Sequence, residues 1–210
     1  METLHSIFEN SARSNFNNIA ITFNSGSTKE ELTYREVNEK ACKVAEFLKT
    51  VCEKHETVAL YSKQSIGCVV SILGVLKNKG CFAPVDLQWL PETMCNFLSN
   101  LNVRLVLVAK ELLESFQECL RQSKHSLAKD YQFEVEENVA LGMNGFVLVR
   151  KLLDVNFSAV SARSLDLAYV MQTSGTTGEP KAVKVPHRCI VPNVTDLRWV
   201  YCQISLWLWL

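Results

Sequence analysis

A segment rich in glycine and hydroxyl side chains has the composition of a phosphate-binding loop. It comprises Thr173, Ser174, Gly175, Thr176, Thr177, Gly178, Glu179, Pro180 and Lys181. The glycines let the backbone approach an anion without obstruction by a Cβ atom, and the hydroxyl groups can donate hydrogen bonds beside the free backbone amides. Lys181 adds a mobile positive charge for phosphate oxygens. This order of residue types predicts a polyphosphate-binding loop.

The spacing within this loop differs from that of the P-loop NTPases. Their signature is GxxxxGK[ST], whereas Lys181 follows Gly178 by three residues and Pro180 intervenes. No long helix is predicted to start at the lysine, so the helix-dipole contribution of that class is missing. A glycine-rich β-hairpin loop that binds no ligand is the structural alternative.

Other polar residues give weaker signals. His187 and Arg188 stand where a helix is predicted to begin; they either lie near a substrate pocket or pack the helix start with Arg188 exposed. Asp86 follows a predicted strand and has no second carboxylate nearby, which disfavours a metal or acid–base role. Three further histidines stand in polar surroundings and are predicted to lie at the surface: His5, His55 and His125.

The cysteine pattern argues against a structural metal site. Eight cysteines occur and no CxxC or CxH pair is present, so the close ligand pairs of zinc fingers and ribbons are absent from the sequence. We therefore predict no metal site. The N-terminus carries acidic residues and no long apolar run typical of a secretory signal, so we expect a cytoplasmic protein.

Apolar periodicity predicts the elements that must position the loop. Strands and helices alternate, which favours an α/β fold with a mostly parallel sheet and helices on both faces. The loop itself lies between a strand ending near Gln172 and a second strand over 182–185. Helices are predicted over 4–14, 33–50, 65–77 (closed by Gly80), from Pro91, and over 111–121; strands are predicted over 19–24, 57–62, 81–85 and 104–109, with weaker candidates near 131–135 and 145–150 before a polar link at 156–164.

Composition limits the function classes. The chain has 210 residues, of which 48% are apolar, and its 22 basic and 22 acidic residues give no formal net charge. Such a chain can bury a core, and it lacks the basic excess typical of nucleic-acid binders, so we expect no nucleic-acid partner. The longest uncharged apolar segment is also shorter than the roughly 20 residues that a membrane span needs, so no membrane span is predicted.

Three segments in register resemble the adenylate-forming superfamily of AMP-dependent synthetases and ligases. The loop resembles the superfamily's phosphate-loop signature, residues 32–37 (LTYREV) resemble its LTYxEL segment, and residues 75–86 (VLKNKGCFAPVD) resemble its LKAGxAYVPID segment. This superfamily includes acyl-CoA synthetases, the adenylation domains of nonribosomal peptide synthetases, and luciferases. The sequence from Ala168 to Asn193 resembles its β-alanine-activating members.

The resemblance implies a two-step reaction. A carboxylic or amino acid, here of the β-alanine type, attacks the α-phosphate of ATP, held with Mg²⁺, and gives an acyl-adenylate and pyrophosphate. A thiol, of coenzyme A or a phosphopantetheine arm, then displaces AMP. The residues matched by Thr173–Lys181 would hold the β and γ phosphates, and Lys181 is the candidate that stabilises charge on the leaving pyrophosphate.

The same resemblance predicts an incomplete adenylation domain. Residues 1–198 correspond to its N-terminal part, and residues 199–210 form an apolar Trp-rich tail that does not match the superfamily, as at the end of a splice variant. The superfamily's magnesium-binding glutamate, ribose-binding aspartate and catalytic lysine have no counterpart, so no catalytic set is complete. The alternative is a non-catalytic truncated isoform that acts as an interaction fragment or is an unstable product.

We expect the 210-residue chain to be inactive by itself in acid activation because those catalytic groups are missing. The measurement is AMP or pyrophosphate release by the purified chain in the presence of ATP and a carboxylic acid. A steady signal that scales with added acid would contradict this expectation.

Overall fold

The computed structural model describes residues 2–26, 28–124, 133–136, 146–151, 166–173 and 181–200. None of the described helices is long and apolar enough to cross a membrane. The helices are α1 (Leu4–Ser14), α2 (Tyr34–Val51), α3 (Ile66–Lys77), α4 (Pro91–Asn100), α5 (Leu113–Gln122) after a short 3₁₀ turn (Lys110–Leu112), and α6 (His187–Val200). The strands are β1 (Ile19–Ser25), β2 (Thr28–Thr33), β3 (Thr57–Tyr61), β4 (Cys81–Pro84), β5 (Leu105–Ala109), β6 (Phe133–Glu136), β7 (Phe146–Lys151), β8 (Leu167–Thr173) and β9 (Lys181–Pro186).

Side-chain caps fix where the N-terminal helices begin. At the start of α2, the backbone N–H of Glu36 donates to Thr33 Oγ1 at 3.3 Å, and the N–H of Thr33 donates to Glu36 Oε2 at 2.8 Å. Ser65 caps α3 by accepting from the N–H of Cys68. These bonds satisfy amides that have no partner within the helix, and Thr33 and Glu36 form a capping box.

Within the described residues, one sheet carries the strands in the order β6-β7-β5-β3-β4-β8-β9. Strand β3 pairs in parallel with both β4 and β5, and β4 pairs in parallel with β8. Strands β6, β7 and β9 add antiparallel pairs at the two sides. The predicted α/β fold is therefore confirmed, with a parallel centre and antiparallel edges.

Alternation along the central strands divides the core into two layers. Val58 and Leu60 of β3 pack on one face with α2 and α3, whereas Ala59 and Tyr61 pack on the other face with α4 and α5. Successive strand side chains point to opposite faces, so a strand covered on both faces must be apolar throughout. Helices on both faces were predicted, and this arrangement confirms them.

Two local features differ from the sequence predictions. Strand β2 was not predicted, because its exposed sequence TKEELT has no apolar alternation; it pairs with β1 as a separate hairpin. Gly80 was predicted to close α3, and its N–H does donate to the Val75 carbonyl at 2.9 Å, but the residue with a left-handed backbone is Lys79, at φ 60°. Gly80 is also closely packed, because a Cβ atom there would lie 3.1 Å from Val75 Cγ1 and 3.2 Å from the backbone carbonyl oxygen of Glu56. The predicted polar link at 156–164 lies outside the described residues.

The close packing of α3 on α2 gives a stability prediction. A methyl group on Gly74 would clash with Val44 Cγ1 and would lie 2.5 Å from Val44 Cβ. Gly74→Ala should lower the free energy of unfolding by roughly 1–3 kcal/mol, despite the better helix propensity of alanine, because the core is overpacked. Urea denaturation measures the difference.

Ser71→Ala is the matched control for this prediction. Ser71 is in the same helix, is buried, and its Oγ has no hydrogen-bond partner. Removing that hydroxyl should leave stability unchanged or raise it. Equal losses in the two variants would contradict overpacking as the cause.

Candidate functional site

The ends of the predicted phosphate loop are held by the last pair of an antiparallel ladder. Thr173 is the final residue of β8 and Lys181 is the first residue of β9, and the two are directly paired. Thr173 Oγ1 donates to the Lys181 carbonyl oxygen at 3.4 Å. The intervening residues Ser174, Gly175, Thr176, Thr177, Gly178, Glu179 and Pro180 lie outside the described residues.

Strand β8 carries the loop from the core to the surface. Ala168 and Val170 are buried at 0% and 1% exposure, whereas Thr173 is exposed. Because β8 runs parallel to β4, the loop follows the carboxyl end of a parallel strand. Ligands of open α/β sheets bind at this edge, outside the carboxyl ends of the strands.

The described part of this site can supply two groups to an anion. Lys181 is exposed at the first position of β9, and its ammonium group is free to follow a phosphate. Thr173 contributes a hydroxyl at the opposite end of the loop; its proton is donated to the Lys181 carbonyl oxygen, so a bound anion would replace that acceptor. Strands β8 and β9 form a β-hairpin, a geometry shared by the phosphate-binding hypothesis and by the alternative without a ligand.

His187 and Arg188 lie at the far end of β9 from this loop. The backbone N–H of His187 donates to the Asp166 carbonyl at 2.8 Å, and His187 Nδ1 accepts from the N–H of Leu4 at 3.2 Å. Arg188 Nη1 pairs with Asp166 Oδ2 at 2.9 Å, with its own side chain 65% exposed. These contacts confirm the interpretation of helix-start packing and do not place the pair beside the phosphate loop.

Asp86 has a local structural contact. Its Oδ1 accepts from the backbone N–H of Gln88 at 2.8 Å, which forms a turn after β4. Among the described residues, no group of three His, Cys, Asp or Glu side chains is placed to hold a metal ion. The contact gives the Asp86 carboxylate a role in the turn.

The prediction that His5 lies at the surface is wrong. His5 is half-buried, its Nδ1 atom is buried without a hydrogen-bond partner, and its ring lies edge-on to that of His187 with 5.9 Å between centroids. His55 is half-buried in the turn before β3, and His125 lies outside the described residues. No local pattern marks His5 as buried, because its partner is distant in the sequence.

Comparison with known proteins identifies the family. The AMP-binding enzyme family matches residues 8–208, which is nearly the whole chain. The chain belongs to the AMP-binding enzyme family. The predicted membership in the adenylate-forming superfamily is thereby confirmed.

Curated relatives of this AMP-binding chain include large synthases. Gramicidin S synthase 1 of Brevibacillus brevis is 30% identical over 190 residues, covering 90% of this chain and 15% of that protein. The beta-alanine-activating enzyme of Danio rerio is 29% identical over 212 residues, covering 94% of this chain and 18% of that protein. The chain therefore spans less than a fifth of the length of these relatives.

Solved structures show the same fold. The fatty acyl-adenylate ligase of L. pneumophila, in complex with acyl adenylate and pyrophosphate, aligns with a TM-score of 0.67 at 18% identity, covering 96% of this chain and 33% of that one. VinN with 3-methylaspartate aligns with a TM-score of 0.66 at 18% identity, covering 96% of this chain and 52% of that one. At this identity the alignments support the fold alone.

The buried histidines predict acid sensitivity. Burial lowers the pKa of His187, an effect partly offset by the Asp166 carboxylate. Burial also lowers the pKa of His5; Glu9 opposes this, and His187, Lys77 and Lys79 add to it. Because both groups titrate near 6.5 when unfolded, the unfolded chain binds more protons and the free energy of unfolding should fall as pH drops below about 6.5.

His187→Asn tests this dependence. Asparagine keeps an oxygen acceptor near the position of Nδ1 but does not titrate, so the loss of stability between pH 7 and pH 5 should become shallower. Denaturant unfolding at each pH gives the slope. Thr195→Ala, on the same helix, changes no titratable group and should keep the original slope. An unchanged slope in His187→Asn would contradict the assignment.

Proposed function

We propose that this chain supplies the ATP phosphate-binding part of an enzyme that activates a carboxylic or amino acid through an acyl-adenylate. The observation that carries the proposal is the Thr173–Lys181 sequence at the carboxyl end of a parallel strand in a chain of the AMP-binding enzyme family. Its fold neighbour from L. pneumophila is described with acyl adenylate and pyrophosphate, the two products of such a step.

In this proposal the loop binds the β and γ phosphates of ATP. Backbone amides around Gly175 and Gly178, together with the hydroxyls of the loop, donate hydrogen bonds to the phosphate oxygens. The ammonium group of Lys181 balances the charge that grows on pyrophosphate as the acid displaces it at the α-phosphorus. Stabilisation of developing charge by a positioned donor is the main way such sites lower a barrier.

Magnesium has no assigned ligands in the part of the chain that the structure describes. The chemistry it supplies is neutralisation of the phosphate oxygens, and it would reach the site bound to ATP. We assign no step to it.

For the acid, we propose an amino acid of the β-alanine type, with the thiol of coenzyme A or phosphopantetheine as the acceptor. Two similar proteins support an amino-acid substrate: one is named a beta-alanine-activating enzyme, and another is described with 3-methylaspartate. No residue of this chain is assigned to the acid site or to the thiol site.

We further propose that residues 1–198 form the N-terminal part of the adenylation domain and residues 199–210 a separate apolar tail. Composition supports this boundary, because residues 199–210 carry no charge and contain three of the four tryptophans. The match to the AMP-binding enzyme family extends to residue 208 and does not mark this boundary. The boundary therefore rests on composition alone.

Lys181→Ala tests the phosphate-binding role on this chain. Loss of a charged hydrogen-bond donor, worth about 1.5 kcal/mol or more, should weaken ATP binding at least roughly tenfold. Isothermal titration calorimetry with ATP gives the dissociation constant, and circular dichroism shows whether the variant is folded. Lys184→Ala is the matched control, since Lys184 is exposed three residues along the same strand.

Two results would contradict the proposal. Equal ATP affinity in Lys181→Ala and the unmodified chain would remove the lysine from the site. Absence of ATP binding by a folded chain would favour the interaction-fragment alternative.

A further inference from the structure

A cavity lies at the opposite edge of the sheet from the phosphate loop. It has a volume of about 300 Å³ and is formed where α1 and α6 begin and where β3, β4 and β8 start. Strand β9 separates it from the loop by its whole length, about 17 Å at 3.4 Å per residue. Its polar lining consists of Thr3, His5, His55, Lys79, Asp166 and His187.

The ionisable groups around the cavity are mainly basic. Four of its polar lining residues carry a basic nitrogen, and its carboxylate, Asp166, is already paired with Arg188. Lys77, near His5, is paired with Glu9, whereas the Lys79 ammonium has no carboxylate partner among the described residues. The cavity therefore has a surplus of groups that bind an anion.

His187 provides a hydrogen-bond donor in this lining. His187 is 6% exposed, and its Nδ1 accepts a hydrogen bond from the backbone N–H of Leu4. In the neutral ring the proton must therefore be on Nε2, and no acceptor for it occurs among the described residues. Because Nε2 is left open in a residue that lines the cavity, an oxyanion there can accept its hydrogen bond.

Backbone strain is concentrated at the same place. Among the described residues, positive φ angles outside glycine occur at His55 (64°), Lys79 (60°) and Asn102 (53°), and the first two line the cavity. The N–H of His55 donates to the Lys79 carbonyl at 2.9 Å, which holds the two turns together. Lys79 follows the end of α3, where glycine is the usual residue, so a strained lysine is kept where a glycine would fit better.

We propose that this cavity is a second anion site, which binds a compact divalent oxyanion of the size and charge of inorganic phosphate. Lys79 supplies the full positive charge, and His187 donates from Nε2. Because His187 Nδ1 is occupied by the Leu4 N–H, the proton taken up on binding goes to His5, whose Nε2 lies 3.2 Å from Thr3 Oγ1. This site is independent of the acid-activating function.

Anion binding should strengthen as the pH falls. Burial and the neighbouring Lys77, Lys79 and His187 lower the pKa of His5, while Glu9 opposes them. The bound anion would raise that pKa, so binding at pH 6 is coupled to proton uptake. Asp166 faces His187 and stays paired with Arg188.

Sulfate is the probe for this site, because its charge does not change between pH 6 and pH 8. Calorimetry on the 210-residue chain should give saturable sulfate binding that is severalfold tighter at pH 6 than at pH 8. Lys79→Gly should weaken this binding at least tenfold while the sulfate-free protein melts at the same or a higher temperature, since glycine suits the left-handed backbone. His5→Asn should remove the pH dependence and retain binding at pH 8.

Lys181→Ala separates this site from the phosphate loop, and it should leave sulfate binding unchanged. Three results would overturn the proposal: no saturable sulfate binding, equal affinity in Lys79→Gly and the unmodified chain, or loss of sulfate binding in Lys181→Ala. Loss of sulfate binding in Lys181→Ala would assign the sulfate to the phosphate loop. ATP binding by Lys79→Gly tests the proposed function separately, because Lys79 is not part of that loop.

Discussion

The pairing of β8 with β9 is the constraint on which the candidate site depends. It fixes Thr173 and Lys181 opposite each other, so both ends of the intervening loop are held before any ligand arrives. Strand β8 is itself anchored in the sheet by buried residues such as Ala168 and Val170. A loop with fixed ends loses less conformational freedom on binding phosphate than a free segment would, which favours affinity and correct orientation.

The same strand joins this site to the other polar region of the molecule. Lys181 begins β9, and His187 follows its last residue as the first residue of α6. There the N-terminal helix is bound through the Leu4 N–H to His187 Nδ1, and Lys77 of α3 is paired with Glu9 of α1. Residues from both ends of the described chain therefore meet at one edge of the sheet, where a basic cavity forms.

Much of the fold could be predicted because its signals are local. The capping box of Thr33 and Glu36 set the start of α2, and apolar runs such as Leu105–Ala109 marked strands that are covered on both faces. Strand β2 was not predicted, because an exposed hairpin strand needs no alternation of apolar residues. The left-handed backbone of Lys79 was also not predicted, because the glycine at the next position was expected to end α3.

The sequence by itself predicts phosphate-binding chemistry for the loop, because glycine, hydroxyl and lysine groups act through their types and their order along a short segment. It also determined the family, through segments that match in register. Only the tertiary structure decided which histidines are buried and where the basic cavity lies. His5 and His187 are brought together by the docking of α1 on α6, and such long-range contacts depend on the packing of the whole sheet and leave no periodic trace in the sequence.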